Sequence, residues 1–217
     1  VVIGSGAPGS IDALRYITNA HLWGGAAWAI LGRDDPDPWL LVWSAYQAVW
    51  SRNETTTDLN RVESPDDLIG RTAALVKEYA AGSKRVGMVN MNSKLSIGEH
   101  ARLSQALDGF TLVEVSGEFN ALRQIKSPWE IEAMQQNGKI LDASLDVFRE
   151  YASVGARYWD VCAQVEAYVK SQGAFWGRTK VSLDLTPYTV PTAKDRRMQE
   201  DDIINFEIVY ESPWGYW

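Results

Sequence analysis

The sequence predicts two units in series, an α/β layer structure over residues 1–122 and the opening of an α+β structure over 123–217, and three observations predict it. Short apolar runs and amphipathic stretches alternate as far as Val115, the pattern of strands interleaved with helices. A helix start is then written out in full: Ser127 offers an N-cap oxygen, Pro128 takes the first helical position, and Glu130 can close a capping box onto Ser127. Beyond it the order becomes helix, helix, strand, strand.

Val1, Val2 and Ile3 read as a strand, and Gly4, Gly6 and Gly9 follow in G-x-G-x-x-G spacing. A dinucleotide fold would use such glycines for a tight turn against a pyrophosphate, with an acid roughly 20 residues on. The acid available here, Asp34, lies beyond that place, and Ile17, Thr18 and Asn19 form helix poorly. The stretch therefore reads as a flexible loop after an edge strand, and residues 14–19 as the next extended run.

Residues 26–31 and 39–43 are apolar and flank a turn rich in Asp and Pro, so they predict a hairpin of buried strands. Residues 54–63 are polar and loop-like. Ser64, Pro65, Asp66 and Asp67 read as an N-cap with acids against the dipole of a helix over 68–81, which Gly82 ends. A strand over 85–90, a helix over 99–107 and a strand over 111–115 complete the first unit.

Behind Ser127, the residues Ile131, Met134, Leu141, Leu145 and Phe148 recur at helical steps, with Gly138 in the remaining slot, and predict one long helix that buries this stripe. Gly155 breaks the chain. Trp159, Cys162, Val165 and Val169 mark a second helix, ended by Gly173. Strands over 178–185 and 203–210 follow.

Composition excludes several function classes. The net charge of -7 supplies no basic stripe for a phosphate backbone, so nucleic acid is not a partner. No apolar run approaches the roughly 20 residues of a membrane span, so no membrane is expected either. A lone Cys162 excludes an internal disulfide and a cysteine zinc site, which fits a reducing cytoplasm. Both ends read as cut from a longer protein.

Several residues together resemble the creatinase/aminopeptidase P/prolidase superfamily, whose catalytic domain has the pita-bread fold. Leu122-Arg123 with Ile125-Lys126-Ser127-Pro128 and Glu130-Ile131 matches the family's passage into that domain. Arg15-Tyr16-Ile17-Thr18 resembles a strand start of its N-terminal domain, Arg196, Met198 and Asp202 fit its Arg, Leu and Gly-Asp positions, and Gly215-Tyr216 its Gly-Tyr turn. The resemblance implies a creatinase-type N-terminal domain over 1–122, an incomplete pita-bread domain over 123–217, a homodimer, and hydrolysis of a small C–N bonded molecule or short peptide. An isolated fragment of this length is not expected to be active.

Members of the family hold two divalent metals with Asp, His and Glu. Counted from Asp202, the first Asp position holds Glu207, and the upstream His position falls near Val190, Pro191 and Thr192. The resemblance therefore implies a site without metal or other cofactor. One alternative is a divergent metallopeptidase of the Xaa-Pro type, with Glu207 as a substituted ligand to Mn, Zn or Co; another is a non-catalytic binding protein. The resemblance also brings the loop after residues 16–18 to a partner's site, which makes His21 and Trp23, with Glu207 and Tyr216, the candidate substrate-binding residues. Catalytic acid and base are not named by these residues. The ten Trp suggest core, dimer interface and an aromatic-lined pocket.

Overall fold

A computed structural model describes residues 2–5, 12–22, 24–80, 82–182 and 195–217. The chain divides into two compact units, 1–125 and 126–217.

In unit 1 the strands are β1 (Val2–Ser5), β2 (Ala27–Ile30), β3 (Trp39–Val42), β4 (Val62–Glu63), β5 (Arg85–Val89) and β6 (Thr111–Glu114). They form one sheet in the order β4-β3-β2-β1-β5-β6. The β2–β3 hairpin is antiparallel, with Trp28 opposite Leu41. β1 is antiparallel to β2 and parallel to β5, with Val2 opposite Met88. This corrects the edge-strand expectation: β1 is interior, because β5 closes its second side. Of the glycine-spaced motif only Gly4 lies among the described residues.

Alternation along the strands fills two cores. Trp28, Ile30, Leu41 and Met88 pack with α3 (Leu68–Tyr79) and α5 (Ile97–Ala106). Ala27, Ala29, Leu40 and Val42 pack with α1 (Asp12–Thr18), α2 (Ala45–Arg52) and Phe119 of α6 (Ser116–Gln124). A short α4 (Met91–Lys94) follows β5.

Three local expectations in unit 1 are corrected. Arg15 to Thr18 are helical rather than extended: Ala13, Leu14 and Thr18 are buried, and Thr18 Oγ1 donates back to Leu14 O at 2.9 Å. Tertiary burial outweighs the weak propensity of Ile17 and Thr18. The cap of α3 is Asp67, not Ser64, and its side chain makes no capping bond. Residues 54–63 contain β4, which pairs parallel to β3. α5 opens on a full capping box, Ser96 with Glu99.

Unit 2 contains α7 (Pro128–Tyr151), α8 (Tyr158–Ser171), β7 (Trp176–Ser182) and β8 (Asn205–Glu211). Ser127 and Glu130 form the capping box as expected, with Pro128 in the first turn. Gly155 and Gly173 sit at φ +86° and +88°, which suits glycine at the helix boundaries.

The predicted apolar stripe of α7 is buried at its C-terminal end, at Phe148, but not along the rest of the helix. Glu130, Ala133, Asn137, Ser144 and Phe148 are buried, whereas Ile131, Met134 and Leu141 are 47%, 44% and 39% exposed. Period and helix are as expected; from Glu130 to Ser144 the buried phase is turned by one residue, about 100°, and at Phe148 it coincides with the predicted stripe. Hydrogen bonds make this possible: Glu130 accepts from Ser127 and Tyr216, Tyr210 Oη donates to Asn137 O at 2.7 Å, and Ser144 Oγ donates to Leu141 O at 2.6 Å. On α8 the interior takes Tyr158, Val161, Cys162, Val165 and Val169, and leaves Trp159 49% exposed. Burial raises the Cys162 thiol to about 11, so it behaves as a small hydrophobe.

Candidate functional site

β7 and β8 pair antiparallel with Lys180 opposite Glu207 and Arg178 opposite Val209. Gly177, Thr179 and Val181, with Phe206, Ile208 and Tyr210, form the face turned to the helices: Thr179, Val181 and Tyr210 are buried, and Phe206 stacks on Phe148 with ring centroids 4.0 Å apart. Because successive side chains alternate, Trp176, Arg178, Lys180, Glu207, Val209 and Glu211 share the opposite face.

On this face Lys180 Nζ donates to Glu207 Oε2 at 2.8 Å, with the two side chains 22% and 44% exposed. Glu207 is therefore an ion-paired strand residue in the position where the sequence suggested a metal ligand. Arg178 lies over the Trp176 ring at 5.6 Å, and Trp176 packs on Trp217 with centroids 5.4 Å apart. Among the described residues, no three His, Cys, Asp or Glu side chains group as a metal would need. The carboxylate at the position that the resemblance gives to the first metal-binding Asp is engaged by a lysine. Val190, Pro191 and Thr192 lie outside the described residues.

Tyr216 is drawn away from that face into a hydrogen-bonded turn. Its hydroxyl donates to Glu130 Oε1 at 2.7 Å, and its carbonyl accepts from Ser212 N at 2.8 Å and from Asn137 Nδ2 at 3.4 Å. Bonds from the Ser127 backbone and from Tyr216 hold the Glu130 carboxyl down at about 2. Asp202 is similarly tied: Arg196 Nη2 and Gln199 N both donate to it at 2.7 Å.

In unit 1 His21 is buried rather than on a surface loop. Arg15 Nη1 donates to its Nε2, which leaves the proton on Nδ1, and Nδ1 donates to Glu54 Oε2 at 3.1 Å. Burial, then the nearby guanidinium, lowers its pKa, so the ring is held neutral. Gln47 Nε2 donates to the His21 carbonyl at 2.7 Å. Trp23 lies outside the described residues. Signals for the relay were present in the sequence only as Arg15 and His21 in proximity; Glu54, from beyond α2, gave none.

Each unit has a hollow, and the one in unit 2 is bordered by Arg178, Thr179 and Lys180. One, of ≈ 610 Å³, runs by Arg52, Asn60, Glu63 and Pro65 in unit 1; the other, of ≈ 250 Å³, lies between Trp159 and Glu166 of α8 and the adjoining stretch of β7. The first holds no constellation of acid, base and nucleophile. The second is closed on one side by Glu166, which accepts from Thr179 N at 2.7 Å.

The family profile of the Creatinase/Prolidase N-terminal domain matches residues 8–125. An uncharacterized peptidase of Bacillus subtilis (strain 168) is 32% identical over 113 residues, which are 52% of this chain and 31% of that protein. Among solved structures, the prolidase from Pyrococcus horikoshii OT3 superposes with a TM-score of 0.74 at 18% identity, over 98% of this chain and 57% of that one. The X-Pro aminopeptidase from Thermotoga maritima MSB8 gives 0.73 at 16%, over 95% and 57%. The chain thus spans under two thirds of the length of each of these relatives. At these identities the structural likeness establishes the fold: a creatinase-type N-terminal domain and the first part of a pita-bread domain.

Proposed function

Since the chain belongs to the creatinase/prolidase N-terminal domain family, within the creatinase/aminopeptidase P/prolidase superfamily, we propose that it is part of a homodimeric, cytoplasmic hydrolase that cleaves a small C–N bonded molecule or short peptide without the family's two-metal site. Relatedness to peptidases carries the hydrolase half of this reading. The Lys180–Glu207 ion pair carries the other half. A carboxylate serving a metal has to give its lone pairs to the ion, and this one is engaged by an ammonium directly across the strand pair. Lys180 here supplies, as a fixed charge, part of what a cation supplies elsewhere: it offsets the carboxylate. No described helix is long and apolar enough to cross a membrane.

Metal analysis of the protein at its full natural length, purified without chelator, tests the reading. Hydrolysis of dipeptides that persists after dialysis against EDTA, with less than one divalent ion per chain, supports it. Two bound divalent ions per chain would overturn it. That outcome would favour the metallopeptidase alternative, for which the names of the solved relatives speak: prolidase and X-Pro aminopeptidase. In that case Glu207 exchanges Lys180 for the metal, which its 44% exposure permits.

A further inference from the structure

The helix α2 of unit 1 is turned inside out. Its buried residues are Gln47, Ala48 and Ser51, and Gln47 Nε2 donates to the His21 carbonyl at 2.7 Å and to Ser51 Oγ at 3.1 Å. Ser44 caps the helix by accepting from Gln47 N at 3.1 Å. These bonds fix its phase, so the larger apolar side chains point outward: Tyr46 is 69% exposed and Val49 61%. Tyr46 and Val49 are neighbours on the helix surface, and Arg52, one step further along, donates to the Leu59 carbonyl at 3.4 Å. Leu59 is itself 52% exposed. Trp43, just ahead of the cap, is 50% exposed although its ring lies against Gly25.

Single exposed apolar residues are ordinary, whereas a contiguous set marks a contact surface. These four side chains present about 400 Å² of apolar area, taking roughly 150–250 Å² for a whole aromatic side chain. A stable interface takes about 800 Å² from each partner, and between identical chains roughly 65% of it is apolar. The patch therefore supplies most of the apolar part of such an interface. No residue from Trp39 to Ser51 is charged, while the chain carries -7 overall, so two copies meet here with least repulsion.

Resting on the homodimer part of the reading above, we infer that this face of α2 pairs with the same face of a second copy. The two helices run antiparallel about a two-fold axis at Tyr46. Each contact is then made twice. Tyr46 lies against the partner's Tyr46, and Val49 reaches the partner's Trp43, since each stands three residues from the axis position. Trp43 seated on Gly25 and Tyr46 on a capped helix are fixed aromatic anchors, the type of residue that carries most binding energy. An uncharged patch offers an unlike protein no charge to read, which favours a copy of itself.

Analytical ultracentrifugation of the protein at its full natural length tests this. The wild type should sediment as a dimer at micromolar concentration. Tyr46→Glu and Val49→Glu should each weaken the dimer about a hundredfold or more, since a buried carboxylate without a partner is costly. Both sites are exposed and Glu favours helix, so the variants should keep the wild-type circular dichroism. Ile97→Glu, at a 91% exposed site on α5, should leave the dimer unchanged. On mild oxidation Tyr46→Cys should give a disulfide-linked dimer. Val49→Cys should not, because its two copies sit on opposite sides of the axis, too far apart to bridge. A dimer that keeps its affinity in both Glu variants, one that Ile97→Glu weakens equally, or a Tyr46→Cys protein that does not cross-link overturns this surface and leaves the homodimer reading standing. A wild type that is monomeric at micromolar concentration removes both.

Discussion

Tyr216 donates a 2.7 Å hydrogen bond to Glu130 across 86 positions of sequence. The same carboxylate accepts from the Ser127 backbone at 2.7 Å. One buried side chain therefore caps the first helix of unit 2 and fastens the turn that follows its second strand. Gly215, at φ +81°, allows that turn to close. The strand ahead of the turn carries Glu207, so the position of the candidate face depends on this latch.

The latch predicts a coupling measurable in a double-mutant cycle. Glu130→Gln and Tyr216→Phe should each destabilise unit 2 by about 1 kcal/mol, through loss of a cap and of a charge-assisted bond. The double variant should cost less than the sum of the two. Because the folded carboxyl is held at about 2, below its unfolded value, its contribution is complete above the ordinary carboxylate range and fades as pH falls toward 2. Urea melts at pH 7 and pH 3 check this. Strict additivity would show that Tyr216 and Glu130 do not act together.

His21 predicts the pH response of unit 1. Its pKa is lowered by burial first and by Arg15 second, so the unfolded chain binds a proton more readily than the folded one. Stability should be full above the unfolded value near 6.5 and decline as pH falls below it. His21→Gln should flatten that decline between pH 7.5 and 5.5 in thermal melts.

The two faces of α7 make a third prediction and show where the sequence was legible. Capping box, proline and helix length were readable because they are local, written within a few residues of Ser127. The buried phase was not, because its polar members are acceptable inside only through partners far along the chain: Tyr216 for Glu130, and Tyr210 for the Asn137 carbonyl. In the same way the β2–β3 hairpin was legible from its turn, whereas the interior place of β1 required β5, and Glu54 as partner of His21 had no signal at all. Glu207 followed from the resemblance to the family, but its partner Lys180 emerged only once the strand register was known. Phe148→Ala should therefore cost about 3–5 kcal/mol, and Met134→Gln, on the same stripe but 44% exposed, should stay within about 0.5 kcal/mol. Chemical denaturation of both variants distinguishes them; similar losses would place Met134 in the interior as well.

Gly25 makes a fourth. Its φ of +68° is open to glycine, and a Cβ placed there would lie 2.4 Å from Trp43 Cγ. Gly25→Ala should destabilise unit 1 by about 1–3 kcal/mol, read as a lower Tm. Gly24 meets nothing within 4 Å, so Gly24→Ala should be nearly neutral. Equal effects would show that space at Trp43 is not what requires glycine.

The Lys180–Glu207 pair separates a structural role from a catalytic one. Both side chains reach solvent, so the Coulomb attraction is screened and the pair should contribute under about 1 kcal/mol to folding. Glu207→Gln should then leave the melting curve almost unchanged. If the hydrolase reading holds, the same variant in the full-length protein should lose activity by orders of magnitude, because a neutral amide neither orients Lys180 nor exchanges a proton at neutral pH. Lys180→Met should lower activity too, and it bears on the metal question directly: freeing the carboxylate should let added Mn²⁺ raise Tm where the wild type shows no shift. A wild-type protein already stabilised by Mn²⁺, with Lys180→Met no different, would mean that the lysine does not stand in for a cation. Full activity in Glu207→Gln would leave the ion pair as an ordinary surface contact.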